Sequence, residues 1–239
     1  QDRIVEALQV IKGAYCLLIQ SRSKMFAIRD RYGVRPLSIG KFKDGGYIVA
    51  RETCAFDLVD AEFVRDVRPG EMVIFEHGKE TFESVQLFEP DPHVCAFEFI
   101  YFARPDSVIE GKNVYATRKK MGMKLAELSP VEADFVIPVP DSGVSAALGY
   151  AQQSGIPFEM AIVRNHYVGR TFIEPTQAVR DLKVKLKLSP IHKILEGKKI
   201  VVIDDSIVRG TTSRQIVKLL KRAGASEVHM RIASPTIEH

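Results

Sequence analysis

The chain has 239 residues, of which 46% are hydrophobic and 27% charged, and carries a net charge of +4. That length and balance suit one large or two modest globular domains, and no apolar run approaches the ~20 residues that span a bilayer. A charge this mild does not imply a nucleic-acid partner, and three cysteines (Cys16, Cys54, Cys95) without a CxxC pair argue against a disulfide framework and for a reducing, cytoplasmic setting.

The opening QDRIVEALQVIKGAYC has neither an initiator Met nor a signal-peptide layout. Ile4, Val5, Leu8 and Ile11 recur at helical spacing, which predicts a helix running into a strand. GAYCLLIQ, MFAIRD, PLSIGK, GGYIVA and GEMVIFE follow as strands, separated by Ser-Arg-Ser, Asp-Gly-Gly and Pro-Gly. Hairpin-sized gaps between them predict antiparallel sheet. The stiff PDP at 90–92 marks a domain boundary, giving domains 1–90 and 91–239. Beyond it the pattern alternates. VCAFEFIYF reads as a strand, NVYATRKKMGMKLAEL as a helix, ADFVIPVP as a strand and GVSAALGYAQQSG as a helix ending at Gly155. PFEMAIV is a further strand; after a basic stretch come the strand KKIVVIDDS, the helix SRQIVKLLKRAG and the strand EVHMRIAS. Wholly apolar strands alternating with helices predict a parallel sheet covered on both faces, an α/β architecture. Both ends read as cuts, so a fragment is expected.

KKIVVIDDSIVRGTTS is the most informative stretch. Asp204 and Asp205 fall where a buried strand opens at its carboxyl end, the place where open α/β sheets bind ligands. Arg209, Gly210, Thr211, Thr212 and Ser213 then enter a helix, offering hydroxyls, close backbone approach and free N–H groups to an anion. Adjacent carboxylates beside an anion site suit a ligand that also carries a diol and a divalent metal, as a ribose 5-phosphate with Mg²⁺ does. No Lys precedes the hydroxyls, so this is not a Walker A loop. An Asp-Asp turn before a Ser cap is the bland reading of DDS alone; the thirteen-residue string from Val201 to Ser213 outweighs it. A second strand-to-helix turn, Asp141-Ser142-Gly143, suits a pyrophosphate and its metal, although by itself it is an ordinary N-cap turn. Between 164 and 193 the charge is +5, leaving −1 elsewhere, and the weak periodicity predicts a lid or binding loop.

These motifs resemble the glutamine phosphoribosylpyrophosphate amidotransferase family. VVIDDSIVRGTTS is similar to its phosphoribosylpyrophosphate signature, PVPDSG to its pyrophosphate loop, and NHYVGRTFIEP to its catalytic lid, with His166 and Lys185 departing from the Arg common there. The resemblance implies a type I phosphoribosyltransferase domain. In it Asp204 and Asp205 hold the ribose hydroxyls and Mg²⁺, Arg209 to Ser213 hold the 5-phosphate, and Ser206 is a further substrate contact. Ser142 is a metal contact, Asp141 a substrate contact, and Tyr167, Arg170 and Lys185 act from the lid. GAYC, DRYGVRPLSIGK and YIVARETCAFD resemble the later portion of the family's glutaminase domain, an α+β N-terminal-nucleophile hydrolase. Its catalytic Cys, which must be residue 1, is not Gln1 and is expected upstream. Arg35 and Glu52 lie in these motifs without an assigned role. Cys95 is open between core thiol and, by the resemblance, first ligand of a [4Fe–4S] cluster whose other thiolates, of the four it needs, lie downstream. The implied partners are phosphoribosylpyrophosphate and glutamine, with purine nucleotides as inhibitors, in a homo-oligomer (tetramer) without nucleic acid or membrane. A phosphoribosylpyrophosphate-sensing regulator and a salvage phosphoribosyltransferase are the rival readings; the lid motif and the first half of the chain speak against them.

Overall fold

The computed structural model describes residues 2–165 and 187–236. The chain divides into two compact units, Gln1–Val114 and Tyr115–His239. In the first unit the chain order is α1 (Asp2–Val10), β1 (Cys16–Gln20), β2 (Lys24–Arg29), β3 (Ser38–Phe42), β4 (Tyr47–Ala50), α2 (Cys54–Asp57), β5 (Ala61–Asp66), β6 (Glu71–Glu76) and β7 (Phe82–Gln86). These strands form two antiparallel sheets, ordered β1-β2-β6-β7 and β4-β3-β5. Alternation along β2 and β6 explains the packing. Phe26, Ile28, Met72 and Ile74 meet Leu8 of α1 on one face. Ala27, Val73 and Phe75, on the other face, meet Leu37 and Ile39 next to and within β3. Central strands that bury both faces read as continuous apolar runs, which is why MFAIRD and GEMVIFE are legible. By contrast β5 and β7 mix charge with exposed positions and carry little periodic signal.

The stretch after PDP stays with the first unit. Backbone N–H groups of Asp91, His93 and Cys95 donate to the carbonyls of Arg31, Tyr32 and Val34 at 2.9, 2.7 and 3.0 Å. VCAFEFIYF is not a strand: Glu98–Phe102 forms a π-helical turn, with Ala103 N–H donating to Glu98 O at 3.1 Å. The physical reason is Glu98. Its carboxylate is fully buried and takes guanidinium bonds from Arg35 and Arg51, and the turn is what points it inward. A short hairpin, β8 (Val108–Ile109) with β9 (Lys112–Asn113), follows.

The second unit contains α3 (Val114–Leu128, beginning at the unit boundary), β10 (Phe135–Pro138), α4 (Val144–Ser154), β11 (Ile162–Arg164), β12 (Leu188–Pro190), α5 (His192–Leu195), β13 (Lys199–Asp204), α6 (Thr211–Arg222) and β14 (Glu227–Ile232). Its sheet is parallel in the order β10-β13-β14. The central β13 is buried on both sides. Val201 and Ile203 pack with Val136, Ala146, Ala147 and Tyr150, while Ile200 and Val202 pack with Ile137, Ile216 and Leu220. Helices on both faces produce this arrangement, and the parallel sheet expected from the alternation is present. Of PFEMAIV only Ile162 and Val163 fall in a strand; they belong to β11, which pairs antiparallel with β12 as a separate ribbon, while Phe158 bridges to Val136. Helices α3 and α4 touch through glycines: a Cβ on Gly149 would lie 1.9 Å from Lys119 O, and one on Gly122 would lie 1.8 Å from Ala146 O. Among the described residues no helix is long and apolar enough to cross a membrane.

Candidate functional site

The site is built where β13 ends. Parallel pairing with β14 continues to Asp204, opposite Ile232, and Ala233 and Ser234 then donate backbone N–H bonds to the carbonyls of Asp204 and Asp205, each at 2.9 Å. The main chain is thereby held extended one residue past the apolar run, and two carboxylates are carried into a buried position. Asp204 is 8% exposed and Asp205 7%. Asp204 accepts the Asp205 N–H at 2.9 Å, and Ser206 Oγ donates to Asp205 at 2.5 Å. Burial, then the neighbouring Asp205 charge, push the Asp204 carboxyl up to about 7 despite that backbone hydrogen bond. No salt bridge reaches either carboxylate among the described residues. Two buried, unneutralised oxygen donors side by side suit a hard divalent cation and hydroxyl donors.

The chain then turns into α6. Gly210 is at φ 69°, the left-handed region that favours glycine, and its carbonyl accepts from Arg214 N–H at 3.1 Å. Thr211, Thr212 and Ser213 occupy the first turn of the helix, where N–H groups are free of intrahelical partners. Arg209, together with Ile207 and Val208, is exposed. The sequence-derived residues from 204 to 213 are therefore brought together as one strand–loop–helix unit.

The second loop, 139–143, is stitched to the same strand end. Val139 N–H donates to Ile203 O at 2.8 Å, and Gly143 N–H donates to Val139 O at 3.0 Å. A Cβ at position 143 would stand 2.4 Å from Ile203 O, so the loop lies against β13 at a distance only glycine allows. The Pro140–Asp141 peptide is cis. Ser142 and Asp141 thus occupy the loop that abuts the residue before Asp204. Asp141 is also paired with Arg164, the last residue of β11. In the sequence Arg164 stands out only as part of a basic stretch; the ribbon that carries it to Asp141 has no signature in the pattern. Tyr167, Arg170 and Lys185, expected in the lid, lie outside the described residues.

The description "Phosphoribosyl transferase domain" matches residues 112–233. The chain belongs to the phosphoribosyltransferase family. It is 56% identical over 236 residues to a chloroplastic amidophosphoribosyltransferase of Glycine max, covering 98% of this chain and 41% of that protein. It is also 51% identical over 239 residues to the Bacillus subtilis amidophosphoribosyltransferase, covering 100% and 50%. A solved structure of the B. subtilis enzyme complexed with ADP and GMP superposes with a TM-score of 0.91 at 51% identity, over 100% of this chain and 52% of that one. The resemblance to amidophosphoribosyltransferases therefore runs along the whole chain, and the chain spans about half the length of the relatives it matches.

Other residues singled out in the sequence make contacts within the first unit. Glu52 accepts the Arg104 N–H at 2.7 Å and the Ser107 hydroxyl at 3.1 Å. Arg35 lies 4.4 Å from the centroid of the Phe102 ring and bonds Glu98, which also accepts from Arg51 at 2.6 Å. Glu98 itself was missed, because a lone Glu in an apolar run looks like a solvent-facing strand position. All three cysteines are free. Burial, only partly opposed by nearby Arg29, pushes the Cys16 thiol up to about 11, which makes it unreactive. Among the described residues no group of three or more His, Cys, Asp or Glu is placed to hold a metal ion, so Cys95 has no companion cluster ligand there.

Proposed function

We propose that the chain is part of an amidophosphoribosyltransferase: glutamine-derived ammonia attacks C1 of phosphoribosylpyrophosphate, giving 5-phosphoribosylamine and pyrophosphate in de novo purine synthesis. The observation that carries this reading is the buried Asp204–Asp205 pair at the open end of β13, followed at once by the Gly210 turn and the free N-terminus of α6. In this reading the two carboxylates orient the ribose hydroxyls and hold Mg²⁺. Ser206 and Arg209 to Ser213 bind the 5-phosphate, and Ser142 in the second loop faces the pyrophosphate and its metal. The donor set fits Mg²⁺, because two adjacent buried carboxylates with no cation partner among the described residues are hard oxygen ligands. When bound, Mg²⁺ neutralises charge on the leaving pyrophosphate. The chain's own share is positioning: C1 is held facing the incoming nucleophile while N–H dipoles of α6 hold the phosphate. Tyr167, Arg170 and Lys185 are proposed to cover the leaving group from the lid.

The unit Gln1–Val114 is proposed as the later portion of an N-terminal-nucleophile glutaminase domain, with 91–114 as the connection into the transferase domain. Its two antiparallel sheets and the similarity to amidophosphoribosyltransferases along the whole of this chain support this. The nucleophilic Cys is expected upstream of this chain. Purine nucleotides are proposed as ligands of the complete protein, supported by the relative solved with ADP and GMP; a homo-oligomer and a cytoplasmic or plastid location are proposed with it. Cys95 is proposed either as a core thiol or as the first ligand of a [4Fe–4S] cluster whose other thiolates would come from downstream residues.

The test is Asp204→Asn with Asp205→Asn in the complete enzyme. Phosphoribosylamine synthesis should vanish with glutamine and with free ammonia alike, while basal glutaminase remains. Normal ammonia-dependent synthesis by the double variant would refute the assignment.

A further inference from the structure

We propose that Arg164 contacts the pyrophosphate group of the substrate, and that Asp141 holds it ready as a stand-in anion before the substrate binds. The inference rests on the phosphoribosylpyrophosphate reading above. Arg164 stands on a paired ribbon, opposite Leu188, so its backbone is fixed more firmly than a loop residue's. Its guanidinium reaches the Asp141 carboxylate in the loop after β10. That loop is bound to Ile203, the residue before Asp204, through Val139 N–H and the close approach of Gly143. The cation therefore borders the strand end where the carboxylate pair sits.

Charge, geometry and exposure then point the same way. The two strand-end loops, 139–143 and 204–210, carry three carboxylates, Asp141, Asp204 and Asp205, against one cation, Arg209. A ligand bearing several negative charges meets repulsion there unless further positive charge is supplied, and Arg164 supplies it from outside both loops. Its fork is also incompletely used. Asp141 engages Nη1 through one carboxylate oxygen, while Nε is buried with no hydrogen-bond partner among the described residues. A guanidinium offers five N–H donors in a planar fork that suits two phosphate oxygens better than one carboxylate oxygen. Finally, the side chains are 33% and 60% exposed, so solvent screens the pair and it holds weakly. A ligand of higher charge displaces Asp141 at little cost.

A brace and a stand-in differ in one sign. If Arg164 merely props the loop, breaking the pair from either side harms binding equally. As a stand-in, Asp141 competes with the ligand, and removing its charge helps. The experiment titrates the complete enzyme with inorganic pyrophosphate in the presence of Mg²⁺ by calorimetry. Arg164→Ala should weaken binding by about tenfold or more, through loss of a charge-assisted contact. Arg164→Lys should recover only part of that, since a point charge lacks the fork. Asp141→Asn should tighten binding by about two- to fivefold, the range set by losing a partly exposed ion pair. Unchanged or weaker binding by Asp141→Asn overturns the stand-in, and unchanged binding by Arg164→Ala overturns the contact. Should the wild-type enzyme bind no pyrophosphate at all, the functional reading fails with it, which separates the two failures.

Discussion

Gly143→Ala isolates the contact that fastens the second loop to the strand end. Position 143 has φ −75° and ψ −12°, a conformation alanine adopts freely, so the backbone itself raises no objection. On conformational grounds the substitution should stabilise by about 0.4–1 kcal/mol. The surroundings reverse that. The new Cβ would lie 2.4 Å from Ile203 O and 2.9 Å from Val139 O, where ordinary contact begins at 3.4 Å. Relief requires a shift of about 1 Å, which stretches the 2.8 Å bond from Val139 N–H to Ile203 O beyond hydrogen-bonding range. A buried polar group left unpaired costs about 1–3 kcal/mol, and forcing a methyl into a packed contact costs about 1–3 kcal/mol more. Net destabilisation of about 2–5 kcal/mol follows, a fall in melting temperature of roughly 5–15 °C for a chain of this size. Displacing Ser142 should also raise KM for phosphoribosylpyrophosphate in the complete enzyme and leave KM for glutamine unchanged. Thermal unfolding and initial rates with each substrate varied in turn measure both effects. A variant within about 0.5 kcal/mol of wild type, with both KM values intact, would show that the loop is not held by this approach.

Gly149→Ala places a methyl 1.9 Å from Lys119 O at the α3–α4 contact; although alanine gains about 1 kcal/mol in helix propensity, chemical denaturation should show a net loss of at least about 2 kcal/mol. Asp204→Asn should stabilise the metal-free protein above pH 7 by about 1–3 kcal/mol while removing transferase activity, because it replaces a charge that burial and Asp205 disfavour; a drop in denaturation midpoint would contradict this. Burial acts to raise the Glu71 carboxyl, but hydrogen bonds from Arg65, Ser84 and the Arg68 N–H outweigh it and bring it down to about 2. A carboxyl lowered on folding stabilises fully above its unfolded value near 4.5 and loses that stabilisation as pH falls toward 2. Glu71→Gln should therefore cost stability at pH 7 and lose most of its penalty near pH 2, and equal penalties at both pH values would count against the network.

Much of the transferase unit is legible in sequence because its strands are buried on both faces. Ile200 to Ile203 leave no choice of face, so a continuous apolar run ending in two acids declares the strand and marks the candidate site at its end. The positive-φ turn at Gly210 and the hydroxyls after it are equally local. Pairings between distant segments are not local, and there the sequence pattern falls short. VCAFEFIYF looks like a strand until Arg35 and Arg51, more than forty residues earlier, draw Glu98 into the interior and bend the chain into a π-helical turn. The edge strands β5 and β7 take their conformation from neighbours, and half-exposed edges have no fixed polarity to read. Arg164 shows the same limit at the site. Its place in a basic stretch follows from the sequence, but its pairing with Asp141 depends on a ribbon and a loop that only the folded chain brings together.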